Sequence, residues 1–224
     1  MLTLYFDGLC KPVNPGGIAC FGWQILEDGV IIQEDDGVEA RGPKATNNMA
    51  EWAALLYGLR AAAALRPESL EIRGDSQLVI NQLTGSWRMN AARLRPYRER
   101  CLELLRGCQW GARWIPREQN EATDALSRKA YRAEALAEAE EKRRAKVPEV
   151  LPRLQPLGDG VYSVGGVYVM DIHAGRCTCP DFVRRHTEDF PLRCKHLLAA
   201  GEAERRADAD DTILLTQKRL TPGC

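Results

Sequence analysis

The chain has 224 residues, of which 45% are apolar and 28% charged, so a folded protein with a buried core is expected and wholesale disorder is excluded. At roughly 150 residues per domain, the length allows one large domain or a medium domain with a small one. The longest uninterrupted apolar run, Trp52 to Tyr57, has six residues, whereas a membrane span needs about 20. The first residues also lack the basic stretch and cleavage site of a secretory signal. We therefore expect a cytoplasmic protein without membrane contact.

Charge is balanced overall but segregated along the chain. Lysine plus arginine and aspartate plus glutamate both total 31, so no global field attracts nucleic acid or lipid. Residues 85–117, however, carry eight arginines and two acids, whereas the first fifty residues carry seven acids and three bases. A polyanionic partner would therefore be met locally, at the arginine-rich stretch.

The apolar periodicity of residues 1–146 predicts alternating strands and helices. Asp28-Gly29 separates two apolar runs, as in a hairpin. The predicted elements in order are strands at Leu2–Phe6, Ile18–Leu26 and Val30–Gln33, a helix at Asn48–Leu65, a strand at Ser69–Arg73, helices at Asp75–Leu83 and Leu94–Leu105, a strand at Gln109–Ile115, and a long helix from Glu121 towards Lys146. This order predicts an α/β domain, residues 1–146, with a mixed five-stranded sheet and flanking helices.

The remaining residues predict a linker, a small module and a tail. Three prolines between residues 147 and 157 disfavour both helix and central strand, so this segment is the expected linker. Gly165-Gly166 separates two apolar runs, as in a hairpin, within a module at residues 158–201. The two apolar runs of this hairpin are Val161–Val164 and Val167–Ile172. Residues 202–224 form a charged tail for which the sequence predicts no structure.

Four carboxylates occur where the predicted secondary structure changes. They are Asp7 after the first strand, Glu51 in the first turn of the first helix, Asp75 at the start of the next helix, and Asp124 at the start of the last. Each has a structural alternative. Asp7 could lie in a turn, and Glu51 could form a capping box with Asn48. Asp75 could be an N-cap, and Asp124 could interact favourably with the helix dipole. Residues 1–172 contain no histidine, so histidine-based nucleophilic catalysis is excluded there unless the C-terminal part supplies the base.

Together the four acids indicate a metal site. A strand end and the N-termini of covering helices can meet at one sheet edge, where carboxylates without partners raise each other's pKa or recruit a cation. Mg²⁺ prefers carboxylate oxygens and water, and it leaves positions for phosphate oxygens. Two such ions about 4 Å apart can activate a water and stabilise the leaving oxygen of a phosphodiester. The prediction fails if any two of the four acids lie beyond a side chain's reach from one shared point or are neutralised by arginine.

Four ordered motifs in residues 1–135 resemble type 1 ribonuclease H. They are Asp7-Gly8 with Asn14-Pro15-Gly16-Gly17 and Gly22, then Thr46-Asn47-Asn48-Met49-Ala50-Glu51, then Gly74-Asp75-Ser76-Gln77, then the run from Pro116 to Leu126. The resemblance implies a ribonuclease H-like fold and endonucleolytic hydrolysis of the RNA strand of RNA–DNA hybrids, leaving 3′-hydroxyl and 5′-phosphate ends. It implies that Asp7, Glu51, Asp75 and Asp124 bind two Mg²⁺ ions, with Mn²⁺ left open as a substitute.

The resemblance also implies how the hybrid is held. Four amides are expected along its minor groove, where they suit a 2′-hydroxyl that both donates and accepts; they are Asn14, Asn47, Asn48 and Gln77. Thr46 would face a DNA phosphate. Trp87 would pack on a deoxyribose, and the alternative for Trp87 is a core or helix-packing residue. The arginines of residues 85–117 are expected to attract phosphates.

The chain departs from the family pattern in several places. Leu9 stands where a small residue is usual, one extra residue separates Asp7 from Asn14, and a lysine-rich protrusion is missing. Glu118 stands in the loop where many members have a histidine, so it is the candidate for assisting the water or the exchange of product and metal. The alternative for Glu118 is an exposed loop residue. The alternative to an enzyme is a non-catalytic hybrid-binding or recruiting factor on the same fold, and the oligomeric state is not predicted.

A second motif lies in the C-terminal module. Three thiolates and one imidazole form the ligand set of a closed tetrahedral Zn²⁺ site; they come from Cys177, Cys179, Cys194 and His196. Zinc would contribute much of the folding free energy of a module this small. The pattern resembles a SWIM zinc finger, and we predict a ββα module at residues 158–201. That resemblance implies a tether to DNA or to a protein partner.

Overall fold

A computed structural model describes residues 1–188 and 190–220 of the chain. The chain forms two compact units, residues 1–134 and the residues from 135 onward, and the division falls within one long helix. The sequence had placed the division at the 147–157 segment instead. No helix in the described ranges combines the length and apolar character that crossing a membrane requires.

The first unit contains the predicted mixed five-stranded sheet. Its strands are β1 (Leu2–Lys11), β2 (Ile18–Glu27), β3 (Val30–Arg41), β4 (Ser69–Gly74) and β5 (Gln109–Trp114). They lie in the order β3-β2-β1-β4-β5. β1 and β2 pair antiparallel, as do β2 and β3, whereas β1, β4 and β5 run parallel. The central strand β1 is therefore buried between neighbours, and the carboxyl ends of β1 and β4 meet at the same edge.

Four helices complete this unit. They are α1 (Asn47–Ala64), α2 (Gln77–Leu83), α3 (Arg95–Leu104) and α4 (Glu121–Arg144). α1 is rich in alanine and leucine and is buried on most of its circumference, with Trp52 fully buried against the sheet core. Burial of a large apolar side chain contributes roughly 1.5–3 kcal/mol. The packed α1 thereby fixes the position of its own N-terminal turn at the sheet edge.

The second unit is built around a small antiparallel sheet. Its elements are α5 (Val147–Val150), β6 (Leu154–Gly158), β7 (Val161–Val164), β8 (Tyr168–Asp171), β9 (Arg176–Cys177), α6 (Pro180–Arg185) and α7 (Lys195–Leu220). The strands lie in the order β6-β7-β8-β9. The predicted hairpin across Gly165-Gly166 is present as β7 and β8, but the ββα expectation lacked β6, β9 and the helices α5 and α6. α7 continues into the predicted tail, and residues 221–224 lie outside the described residues.

Residues 147–157 were expected to be a linker, but they are folded into the second unit. Pro148 lies in the first turn of α5, where a missing N–H leaves no helical hydrogen bond unmade. Pro156 lies in β6, an edge strand of the sheet, and edge strands tolerate proline. Val147 and Val150 are buried in the core of this unit. The prolines therefore mark helix starts and a sheet edge.

Candidate active site and metal cluster

Three of the four predicted carboxylates meet at the end of β1. Asp7, Glu51 and Asp75 each offer one oxygen, and these oxygens lie within 4.8 Å of one another. Asp7 is 4% exposed and Glu51 7% exposed, while Asp75 is half-buried. A strand, the first turn of α1 and the segment before α2 thus place three acids at one point, as the sequence predicted.

Two glycines allow the helices to come this close to the sheet. A Cβ on Gly8 would lie 2.2 Å from the backbone nitrogen of Glu51, and one on Gly22 would lie 2.7 Å from the backbone nitrogen of Ser127. Distances this short exclude any side chain at either position. Gly8 on β1 therefore admits α1, and Gly22 on β2 admits α4, to the neighbourhood of Asp7.

The helix caps do not use the clustered carboxylates. The hydroxyl of Thr46 caps α1 by accepting the N–H of Met49 at 3.3 Å, and Ser76 caps α2. Asn48 and Asp75, which were the alternatives for these caps, are not the N-caps. The Oε2 atom of Glu51 is buried and has no hydrogen-bond partner among the described residues. Since a buried anionic oxygen without a partner is costly, this donor set fits a divalent cation.

A buried asparagine orients Asp75. Asn120 is 1% exposed, and its Nδ2 donates to the Phe6 carbonyl and to Asp75 Oδ1, both at 2.9 Å. The Thr123 hydroxyl donates to Asn120 Oδ1 at 2.6 Å, which fixes the amide orientation. The Trp114 indole N–H donates to the Asp75 carbonyl at 2.9 Å. Asp75 is therefore held through both its side chain and its backbone.

A buried serine on α4 serves Asp7. Ser127 is fully buried, and its hydroxyl donates to Asp7 Oδ2, with the Asp124 carbonyl 3.0 Å away as a second acceptor. Sequence reasoning assigned no role to Ser127 or Asn120. Spacing could have indicated Ser127, because it follows Asp124 by three residues and side chains at that spacing share a helix face.

Asp124 departs from the prediction, because it is outside the three-acid cluster. Its Oδ1 pairs with Arg117 at 2.5 Å and its Oδ2 pairs with Arg128 at 2.8 Å. Arg128 follows Asp124 by four residues on α4, and a short 3-10 turn at Arg117–Gln119 presents Arg117 from the preceding loop. The condition that the acids are not neutralised by arginine thus holds for three of the four. Glu118 is exposed and shares a depression of about 410 Å³ with Asp124.

Burial and neighbouring acids raise the pKa of two of the clustered carboxyl groups, Asp7 and Glu51. Burial raises the pKa of Asp7 to about 6, with a further increase from Asp75 and Asp124, while the Ser127 hydrogen bond opposes the change. Burial, followed by repulsion from Asp7 and Asp75, raises the pKa of Glu51 well above its ordinary value. The site therefore binds protons unless a cation supplies the compensating charge.

These shifts predict a pH-dependent stability in the absence of added divalent cations. Folding raises the pKa of Asp7 from 3.8 to about 6. The contribution of Asp7 to the free energy of unfolding is therefore fully present below pH 4, where the carboxyl is protonated in both states, and is lost as the pH rises through 6. Two pKa units correspond to about 3 kcal/mol. We expect Asp7→Asn to raise the free energy of unfolding of the first unit by up to about 3 kcal/mol at pH 8 and to change it little at pH 4.

Urea unfolding followed by tryptophan fluorescence measures this effect. All five tryptophans lie in residues 1–134, so the signal reports on the first unit alone. Asp28→Asn is the matched control, because Asp28 is exposed and pairs only with the chain N-terminus among the described ion pairs. An Asp7→Asn variant with the same stability gain at both pH values would contradict the assigned burial of charge.

The predicted hybrid-binding residues divide into buttressing and exposed groups. Asn14 Oδ1 accepts the N–H of Asn47 at 3.0 Å, and Asn47 Oδ1 accepts the N–H of Cys10 at 3.2 Å, so these amides connect the loop after β1 to α1. Asn48 and Gln77 are exposed beside the cluster's helices. Trp87, for which a core position was one alternative, is 49% exposed and is not a core residue.

The second unit holds the predicted cysteine–histidine cluster. Cys177, Cys179, Cys194 and His196 are buried, and one ligand atom from each lies within 4.8 Å of the others. Each sulfur accepts one backbone N–H, from Cys179, Phe182 and Leu197 respectively, at 3.4, 3.4 and 3.5 Å. A hydrogen bond from Cys177, with a further contribution from one to His196, lowers the pKa of the Cys194 thiol. Backbone N–H donors stabilise thiolates, and the four side chains fit a metal ion held by three sulfurs and one imidazole.

The mixed sheet with its acidic cluster defines the first unit as a ribonuclease H fold. The family model described as reverse transcriptase-like matches residues 16–130, and the chain belongs to that family. Ribonuclease HI of Halobacterium salinarum is 44% identical over 131 residues, covering 56% of this chain and 62% of that protein, so the chain spans less than two thirds of this relative.

Two solved structures agree with this assignment. The crystal structure of RNase H1 from Halobacterium salinarum is 42% identical and superposes with a TM-score of 0.54, covering 58% of this chain and 96% of the other. LC11-RNase H1 in complex with an RNA/DNA hybrid is 25% identical with a TM-score of 0.52, again covering 58% and 96%. The similarity lies in the first unit.

Proposed function

We propose that the first unit is an endonuclease that hydrolyses the RNA strand of RNA–DNA hybrids. The observation that carries the proposal is the meeting of Asp7, Glu51 and Asp75 within 4.8 Å. The 44% identity to a ribonuclease HI and the similarity to a ribonuclease H1 bound to a hybrid support it. The three carboxylates would hold Mg²⁺ or Mn²⁺, which supplies an activated water and stabilises the leaving oxygen.

The surrounding residues prepare the carboxylates for this role. Asn120 and Ser127 fix the rotamers of Asp75 and Asp7, so little ordering is needed when a cation arrives. We propose Asp124 as the fourth metal-binding carboxylate. For that role its pairs with Arg117 and Arg128 must open, and both guanidinium groups are more than 40% exposed and can turn to solvent. Glu118 in the same depression is the proposed aid to water and product exchange.

The hybrid is proposed to lie across α1 and α2. Asn48 and Gln77 are exposed for contact with ribose hydroxyls, while Asn14 and Asn47 shape the adjoining loop, and Thr46 lies at the cap of α1. Trp87 offers an exposed indole for a deoxyribose. Five arginines of the 85–117 stretch make no ion pair within the described residues, and one of them, Arg98, donates to the Gln82 carbonyl at 2.6 Å. The other four remain for phosphates; they are Arg88, Arg93, Arg95 and Arg106.

For the second unit we propose a SWIM-type zinc finger. Zn²⁺ would be held by three cysteines and one histidine, so that all four coordination positions would be filled by protein and none would be open for catalysis. The module would tether the nuclease unit to nucleic acid or to a protein partner. The N–H···S bonds to all three sulfurs support a structural thiolate site over a buried group of neutral thiols.

Cleavage of a labelled hybrid tests the proposed function. We expect Mg²⁺-dependent nicking of the RNA strand of a closed circular hybrid, with 5′-phosphate and 3′-hydroxyl products, and no cleavage of the DNA strand. A circular substrate excludes an exonuclease. Saturable binding of the hybrid without any Mg²⁺- or Mn²⁺-dependent cleavage would favour the alternative of a non-catalytic hybrid-binding factor.

A further inference from the structure

A cleft in the second unit is strongly basic. Its volume is about 1100 Å³, and it is lined by the end of α4, the turn before β6, the β7–β8 turn, and the starts of α6 and α7. Six lining residues are cationic and one, Asp181, is acidic. The cations are Lys142, Arg143, Lys146, Arg153, Arg185 and Lys195. The cleft is therefore a local positive region in a chain whose net charge is zero.

Half of these cations are neutralised within the unit. Arg143 donates two hydrogen bonds to Asp181 at 2.9 and 3.0 Å, and Arg185 lies 3.4 Å from the same carboxylate. Lys142 pairs with Glu138 at 2.8 Å. The single acid of the cleft is thus shared by two arginines, which compensate its negative charge.

The other three cations have no acidic partner in the part of the chain that the structure describes. They are Lys146, Arg153 and Lys195, and they come from three separate segments around the cleft. Lys195 is half-buried, and the Arg153 guanidinium lies along the β7–β8 turn, 3.5 Å from the position of a Cβ on Gly165. Like charges held together without partners repel one another. A bound polyanion would relieve that repulsion.

We propose that this cleft binds a nucleic-acid strand through its phosphates. A strand presents repeated negative charges that can meet three separated cations at once, which a single carboxylate cannot do. Val167, 69% exposed, and the half-buried ring of Tyr168 line the same wall and offer apolar surface for a sugar or base. Cationic tracks beside aromatic surface are the usual means of holding single strands. The inference rests on the proposed tethering role of the second unit and does not depend on hydrolysis.

Binding of a fluorescent 20-nucleotide single-stranded DNA to the full, zinc-loaded chain tests the proposal. This probe has no ribose, so the proposed nuclease activity leaves it intact. We expect Lys146→Gln with Arg153→Gln to weaken binding about tenfold at moderate salt and to reduce the slope of log affinity against log salt by about 1.4, roughly 0.7 per lost phosphate contact. Zinc content and thermal unfolding are measured alongside to show that the unit is folded.

The matched control is Arg184→Gln with Arg205→Gln, which removes the same charge from exposed positions of the same unit outside the cleft. Unchanged affinity and salt slope in the cleft variant, or an equal loss in the control, would overturn the proposal. Binding of fluorescent poly-glutamate, lost in the cleft variant, with no measurable DNA binding would overturn the proposal and assign the cleft to an acidic protein instead. Absence of hybrid cleavage with normal DNA binding would remove the nuclease proposal and leave the cleft assignment standing.

Discussion

We expect Asp75→Asn to abolish the proposed hybrid cleavage, with a loss of more than about 100-fold. Loss of a residue that only hydrogen-bonds to a metal ligand typically costs roughly 10- to 100-fold, and loss of a ligand itself should cost more. The substitution keeps the shape of the side chain, and its remaining oxygen can still accept the hydrogen bond from Asn120. The Trp114 contact is to the backbone of residue 75 and is unaffected. The charge that would hold a divalent cation is lost while the fold is kept.

The measurement is single-turnover cleavage of a labelled hybrid, with calorimetric titration of Mg²⁺ as a second readout. Asp28→Asn is again the control, because Asp28 lies in the hairpin between β2 and β3, outside the acidic cluster. We expect that control to cleave at the rate of the parent chain. Full turnover by Asp75→Asn, with tryptophan fluorescence showing a folded first unit, would disprove the role given to the three acids.

We expect Cys194→Ser to unfold the second unit and to leave the first intact. Cys194 is 1% exposed and accepts the Leu197 N–H at the start of α7, so its loss removes a ligand and a helix contact together. Zinc binding to small fingers is worth about 10–16 kcal/mol, which equals or exceeds the typical stability of a whole domain. Residues 158–200 should then exchange their amide hydrogens without protection, and hybrid cleavage should change by less than about threefold because the carboxylate cluster belongs to the other unit.

Hydrogen exchange with peptide-level detection separates the two units, and tryptophan fluorescence reports on the first alone. Cys108→Ser is the matched control, since Cys108 is half-buried and outside the cluster. Removal of zinc by a chelator should reproduce the Cys194→Ser pattern. If protection in residues 158–200 survives both treatments, zinc is not what holds this unit together.

Much of the fold of the first unit could be predicted from local patterns. The five strands and the main helices lie where periodicity and Asp28-Gly29 predicted them, with bounds that shift by a few residues. β1 and β3 extend beyond the predictions, because their ends are stabilised by cross-strand pairing that no local pattern records. The 147–157 segment differs for the same reason: Val147 and Val150 are held by a core to which distant residues contribute.

The sequence predicted which acids form the site, but it predicted less well which ion pairs and hydrogen bonds those acids make. Asp7, Glu51 and Asp75 meet as expected because each lies where a strand ends or a helix begins, and those positions follow from the chain order. The ion pairs of Asp124 with Arg117 and Arg128 could not be predicted from the sequence, since either arginine could have faced solvent. Asn120 and Ser127 acquire roles only through contacts with residues more than 40 positions away.

The sequence by itself determined which chemistry is available: acids without histidine in one part of the chain, and three thiols with an imidazole in the other. It did so because residue type limits which ions can be bound, and because motif order limits which elements carry them. The tertiary structure decided which of those groups meet, which are neutralised, and that three cations without acidic partners border one cleft. Those outcomes depend on packing and on competition among side chains brought together by long-range contacts, which local sequence patterns do not encode.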